Sequence, residues 1–181
     1  MVERKKNMKP FVVMMAGLPG SGKSTFAENY ITVNGQKPVI ISSDKLREEW
    51  YGDPSVLGDY KTLFAEIYRR LRLHLKNGEN VVFDATNIKK EHRKIFFDNI
   101  AGIECIPVCV VMVADKEISK KRNKQRKRVV PFYVIDRMAQ NWEEPEADEG
   151  FQNIAFISPT WESRNLNFFV NSSGDADYCV S

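Results

Sequence analysis

Gly17-Leu18-Pro19-Gly20-Ser21-Gly22-Lys23-Ser24, with Thr25 behind it, is the stretch on which the reading turns. It satisfies the pattern GxxxxGK[ST]. It stands after an apolar run at 11–16 and at the head of a helical stretch, the context that a phosphate-cradling loop requires. Glycines let backbone N–H groups converge on phosphate oxygens, and the helix that follows adds its positive end. Lys23 is then expected to reach the β and γ phosphates of a nucleotide, and the Ser24 hydroxyl to ligate Mg²⁺. An ordinary glycine turn could match the pattern by chance, but the strand before it and the helix after it argue against that. The nucleotide-contacting set is Gly17, Leu18, Pro19, Gly20, Ser21, Gly22, Lys23, Ser24 and Thr25. By itself the loop leaves open a kinase, a motor, a switch or a binding module.

Outward from the loop, short apolar runs alternate with longer amphipathic ones, the mark of βα units around a parallel sheet. Residues 11–16, 38–42, 80–84 and 106–113 read as strands, and 24–31, 45–50, 59–76 and 89–100 as helices. In the third helix Leu63, Phe64, Ile67, Leu71 and Leu75 recur at helical spacing, and Gly78 follows as a stop. Next come a basic helix over about 115–128, a break at Pro131, a helix through Trp142 and a strand at 151–158. The tail, 158–181, reads as polar and irregular, with Asn171 to Asp177 as turn or tail. The fold class expected is α/β.

A kinase needs a carboxylate to accept the acceptor hydroxyl's proton and cations to follow the migrating charge. Asp44 stands just past the second strand, at the sheet edge that also carries the phosphate loop, so it is placed as a base, although Ser43 or Asp44 could simply cap the helix at Lys45. Arg47, three residues on, shares a helical face with Asp44 and could hold an anionic acceptor. Asp84 closes the third strand, where it either binds Mg²⁺ through water or steadies Lys23. Arg122 and Arg126, spaced i, i+4 in the basic helix, would project together as lid arginines.

At 181 residues the chain suits one domain, since domains run to roughly 100–200 residues. With 43% hydrophobic and 28% charged residues it has the composition of a globular protein rather than a disordered one. No apolar run approaches the roughly 18 residues of a membrane span, so no membrane partner is expected. The N-terminus lacks a secretory pattern, which points to the cytosol. Cys105, Cys109 and Cys179 form no CxxC pair. Cys105 and Cys109 would share one strand face as buried thiols, and His74 and His92 are too few for a histidine metal site. Charge is lopsided: residues 1–140 hold 26 of the 27 Lys/Arg and 16 of the 24 Asp/Glu, while 141–181 hold 1 and 8. A basic body of this kind suits a polyanionic partner. The acidic end could shield it, contact a partner or form a subunit interface.

In sequence order, Gly17 to Ser24, Ser43-Asp44 with Arg47, Asp84-Ala85-Thr86-Asn87, Arg122-Asn123 with Arg126 and Val130-Pro131, and Pro145 with Glu149-Gly150-Phe151 resemble one family. That family is the 5′-hydroxyl polynucleotide kinases, which include bacteriophage enzymes and the kinase domain of polynucleotide kinase/phosphatases. The resemblance covers about residues 10–158. It implies a P-loop kinase fold with a parallel sheet of about five strands flanked by helices, and a helical lid at about 115–131. Residues 1–181 would form one kinase domain, with a C-terminal extension at 159–181. It also implies that Lys23 and Ser24 bind ATP and Mg²⁺, that Asp84 joins Ser24 at the metal, and that Asp44 is the general base. Arg47, with Thr86 and Asn87, would contact the acceptor, and Lys23, Arg122 and Arg126 would act on the transferring phosphoryl group.

The implied partner is a 5′-hydroxyl end of RNA or DNA, with a homo-oligomer or a repair partner as further expectations, in the cytosol of a cell or of a phage-infected host. The Asp-x-Asp-x-Thr signature of the phosphatase module is absent from the sequence. Asp44-x-x-Arg47 also resembles P-loop kinases of small molecules and the zeta-toxin group, so a small-molecule or sugar hydroxyl is the alternative acceptor. A nucleotide-dependent nucleic-acid-binding module without transfer is the alternative of another class.

Overall fold

The computed structural model describes residues 9–158 and the backbone of 166–170 and 176–180. Five strands, β1 (Phe11–Ala16), β3 (Val39–Ser42), β4 (Val81–Asp84), β5 (Ile106–Met112) and β6 (Asn153–Ile157), form a wholly parallel sheet in the order β3-β4-β1-β5-β6. The α/β fold with a five-stranded parallel sheet is therefore as the sequence leads one to expect. Helices α1 (Lys23–Tyr30), α2 (Ser43–Tyr51), α3 (Tyr60–Lys76), α4 (Lys90–Ile100), α5 (Lys116–Asn123) and α6 (Phe132–Gln140) connect the strands or follow them. Among the described residues, no helix is long and apolar enough to cross a membrane.

β1 is buried along its whole length because both its faces are covered. Val12 and Met14 join Leu63, Ile67, Leu71, Phe83 and Phe96 in one core layer. Val13 and Met15 join Phe26, Ala27, Val82 and Val110 in the other. Period-2 alternation thus sorts successive residues of one strand between the helices on opposite faces. Cys109, with Cys105 beside it, lies in the first layer, and burial pushes the Cys109 thiol up to about 12, as befits a structural thiol. Rings run through this layer in series: Tyr60 on Phe64, Phe64 on Tyr68, Tyr68 on Phe83, Phe83 on Phe96, then Phe97 and Phe151.

Two expectations are corrected. A second sheet exists, β2 (Ile31–Val33), β7 (Leu166–Val170) and β8 (Ala176–Val180) in the order β2-β7-β8, where the sequence reading has a helix end and an irregular tail. Ile31-Thr32-Val33 is β-branched throughout, and Asn34 and Gly35 supply positive φ for the turn after it, so this segment leaves the helix. The turn expected at Asn171 to Asp177 lies mostly outside the described residues. The basic helix is also shorter than expected: α5 stops at Asn123, and Arg126 is not on it. Asn123 is the cause, since its buried carboxamide turns back to hold both backbone groups of Val130, with Nδ2 donating to the carbonyl (2.7 Å) and Oδ1 accepting from the amide (3.0 Å).

Candidate active site

The phosphate loop joins β1 to α1 at the C-terminal edge of the sheet. Gly22, just before α1, adopts φ 100°, which an L side chain rarely takes. Gly20 lies so close to α5 that a Cβ there would stand 2.2 Å from the Ser119 carbonyl oxygen. The loop is also tied to its neighbours. The Gly17 amide donates to the Thr86 carbonyl (3.0 Å), and the Asn87 carboxamide donates to the Met15 carbonyl (2.7 Å). Leu18 packs with Val130 and Ile135, so the loop touches the segment after α5 directly. Thr25 is exposed on α1.

Lys23 is buried, and its Nζ donates to the Leu18 carbonyl (2.7 Å) and more weakly to Ser21 Oγ (3.4 Å). Burial pulls its pKa down from 10.5 to about 8, against the upward pull of Asp84; Arg126 lowers it further and Asp44 raises it. Loop, strand end and basic segment therefore share one field. The Ser24 hydroxyl donates to Asp84 Oδ2 at 2.7 Å. Asp84 is buried, and burial raises its pKa against the opposing effects of Lys23, Ser24 and Ser42. Strand register sets this up, because Ser42 and Met15 both lie level with Asp84.

A hydroxyl and a carboxylate at one point are hard oxygen donors that fit Mg²⁺, which commonly takes one or two protein oxygens and completes its shell with phosphates and water. Among the described residues there is no group of three or more His, Cys, Asp or Glu that could hold a metal ion. The loop amides, with Lys23 among them, fit the phosphates of a nucleotide.

Asp44 lies in the first turn of α2, capped by neither itself nor Ser43, since the N-cap is Ser42. Its carboxylate meets three guanidinium groups. Arg47 Nη1 donates to Oδ1 (3.2 Å), Arg126 Nη2 donates to Oδ2 (2.9 Å), and Arg128 Nη1 donates to Oδ1. Lys127, between the last two, pairs with Glu48. Asp44, Glu48, Arg126, Lys127 and Arg128, with Ser24, Ser42, Lys45 and Pro54, line an open cleft of about 180 Å³, and Arg47 lies behind Asp44. Arg47 is only 7% exposed, donates also to the Ser43 carbonyl, and has its Nε buried with no hydrogen-bond partner.

The structure thus brings Lys23, Ser24, Asp84, Asp44, Arg47 and Arg126 together. Arg122 stays in the last turn of α5, half-buried, so it and Arg126 do not project from one helical face as expected. Asn87 is buried in the scaffold behind the loop, its side chain committed to Met15, and its carbonyl takes a bond from Arg93 (3.1 Å). Thr86 meets the loop through its carbonyl.

Sequence reasoning missed Arg128 and Ser42. The signal for Arg128 was the β-branched Val129-Val130 before Pro131, which marks a chain that has already left the helix. Also missed is the buried pair of Arg93 with Glu149, where Nε meets Oε2 at 2.7 Å and Nη2 meets Oε1 at 2.8 Å.

A bifunctional polynucleotide phosphatase/kinase of Schizosaccharomyces pombe is 28% identical over 156 residues, 83% of this chain and 34% of that protein. An L-seryl-tRNA(Sec) kinase of Methanococcus maripaludis is 25% identical over 164 residues, 88% of this chain and 63% of that one. The chain therefore spans less than two thirds of the length of these curated relatives. Kti12 of Chaetomium thermophilum, solved in complex with ADP-AlF3, superposes with a TM-score of 0.61 at 16% identity, over 81% of this chain and 88% of that one, and shares the fold. The model of the family described as AAA domain (AAA_33) matches residues 12–145, which take in the phosphate loop, Asp44, Asp84 and all the arginines around the cleft. With its loop, strand order and relatives in agreement, the chain belongs to that AAA domain family and has the fold of a P-loop kinase.

Proposed function

We propose that the protein transfers the γ-phosphate of ATP to the 5′-hydroxyl end of a polynucleotide, with Asp44 as general base. The observation that carries this reading is the pairing of Asp44, which lines the cleft with Ser24, Arg126 and Arg128, with the buried Arg47. A carboxylate for the hydroxyl proton and a buried guanidinium with an unpartnered Nε for an acceptor anion lie three residues apart. In the step, the acceptor oxygen bonds to the γ phosphorus and its proton passes to Asp44. The bond from phosphorus to the β,γ-bridging oxygen breaks, and ADP leaves with the electron pair.

The incoming hydroxyl displaces Arg126 or Arg128 from the carboxylate. A displaced guanidinium is then left beside the transferring phosphoryl group, where positive charge lowers the barrier. Lys23 holds the phosphates on the loop, and Ser24 with Asp84 would hold Mg²⁺. When bound, the metal neutralises charge on the β and γ phosphates.

A second reading, a small hydroxylated acceptor on the same machinery, is favoured by the modest size of the cleft. An acceptor panel separates the two. Single-stranded 5′-hydroxyl oligonucleotides of RNA and DNA, free sugars and polyols are each supplied with ATP and Mg²⁺, and phosphorylated product is measured. The first reading expects product on oligonucleotides alone. Product on a sugar or polyol and none on either oligonucleotide supports the second.

A further inference from the structure

Tyr60 is the first residue of α3, and 53% of it is open to solvent although it begins the ring series that crosses the core. One side of its ring lies on Phe64, with centroids 4.3 Å apart, and Phe64 leads on to Tyr68 and Phe83. The ring is thus fixed from behind and left bare in front, which is how a stacking surface differs from a loose surface tyrosine. Burial raises the Tyr60 pKa, the positive charge of nearby Arg47 partly offsets that rise, and Glu91 adds to it. Burial, and after it the charge of Arg128, holds the Arg47 pKa down.

Asp44 bonds to Arg128 and to Arg47, Arg47 keeps an unpartnered Nε, and its charge is close enough to act on the open ring of Tyr60. One ion pair ties α2 to α3. Arg70 of α3 grips Glu49 of α2 through two bonds of 2.6 and 2.7 Å. The loop between the helices folds back on α2, where the Tyr51 hydroxyl lies so near Gly58 that a Cβ there would stand 2.2 Å from it. Trp50, Tyr51 and Leu57 extend an exposed apolar rim beside the same loop.

A hydroxyl acceptor, an anion site and a flat open ring in succession repeat the layout of a nucleotide end: sugar hydroxyl, internucleotide phosphate, base. Resting on the reading that the acceptor is a polynucleotide, we propose that Tyr60 is a specificity-determining residue that stacks a nucleobase next to the reacting 5′ end, and so selects single-stranded ends over small hydroxylated molecules. Every base has a π face, so this selection is for nucleic acid and against sugars without preference among sequences. No hydrogen bond from the Tyr60 hydroxyl is required.

The test is steady-state transfer to a short single-stranded oligonucleotide by the wild-type protein and by Tyr60→Ala, Tyr60→Leu and Tyr60→Phe. Stacking of one base is worth about 1–3 kcal/mol, so Tyr60→Ala is expected to raise the oligonucleotide KM about tenfold, with kcat and the KM for ATP within about twofold. Tyr60→Leu, which still covers Phe64, should behave like Ala, and Tyr60→Phe like wild type. On an oligonucleotide abasic at its two 5′-terminal positions, wild type and Tyr60→Ala should converge. An unchanged oligonucleotide KM in both Tyr60→Ala and Tyr60→Leu overturns the stacking role while leaving polynucleotide transfer intact, as does a Tyr60→Phe protein as impaired as Ala. If the wild-type protein phosphorylates no oligonucleotide at all, the reading beneath this inference fails and the inference fails with it.

Discussion

Lys23 shows what a buried cation costs and what restores it. Its pKa stands at about 8 instead of 10.5 chiefly through burial, a gap worth about 3 kcal/mol at roughly 1.4 kcal/mol per pH unit. The sign follows from proton counts. Between about pH 8 and 10.5 the unfolded chain holds more protons at this residue than the folded one, so its contribution to stability rises with pH across that window. Urea denaturation at pH 8 and pH 10 reads the effect. The gain from pH 8 to pH 10 should be larger in the wild type than in Lys23→Met, and equal gains would mean that the lysine is not desolvated. A phosphate on the loop amides would supply the negative charge that Lys23 lacks, so nucleotide binding should draw a proton onto it near pH 8.5. Asp84 is raised by the same cause, burial, with Lys23, Ser24 and Ser42 opposing.

At the level of elements, the segment after α5 has more consequence than the helix. Asn123 closes the stretch to Val130 with bonds to both backbone groups, and that closure presents Arg126 and Arg128 to Asp44. Asn123→Ala strands two backbone groups of a buried residue, at about 1–3 kcal/mol each. The expected result is a loss of about 2–5 kcal/mol in urea denaturation, together with a fall in transfer rate larger than any change in the KM for ATP. A variant with normal turnover would show that the clip is not what positions the arginines.

These are also the parts the sequence conceals. The five parallel strands are legible because burial on both faces leaves unbroken apolar runs such as Phe11–Ala16, and the loop between β1 and α1 because its glycines have fixed spacing. By contrast, Val129-Val130 before Pro131 says only that the helix has ended by then, and nothing local places the stop as early as Asn123, since lysine and arginine are good helix formers and the clip is to a residue seven positions on. Nor does any spacing reveal Arg93 with Glu149, a pair joined across 56 positions and closed off from solvent. Strand β7 finds its partner in β2, far earlier in the chain, and β8 pairs with β7, so the tail reads as irregular when taken alone.

Over the whole molecule, the opposed charges of the two ends are partly accounted for. Glu143 accepts from the Lys90 amide (2.6 Å), Glu146 and Asp148 pair with the Lys90 ammonium, and Glu149 is the partner of Arg93. Much of the acidic stretch is therefore engaged with α4, away from Arg126, Lys127 and Arg128 at the cleft. A polyanion held by those cations releases counterions, so its binding weakens as salt rises. The most direct measurement is transfer of the ATP γ-phosphate to a single-stranded oligonucleotide with a free 5′-hydroxyl, beside a 5′-phosphorylated control, by the wild-type and Asp44→Asn proteins at low and high salt. The account predicts label on the hydroxyl end only, an oligonucleotide KM that rises with salt, and a fall of about 10²-fold or more in Asp44→Asn. Label that persists undiminished in Asp44→Asn, or none on any oligonucleotide from a protein that binds ATP, would contradict it.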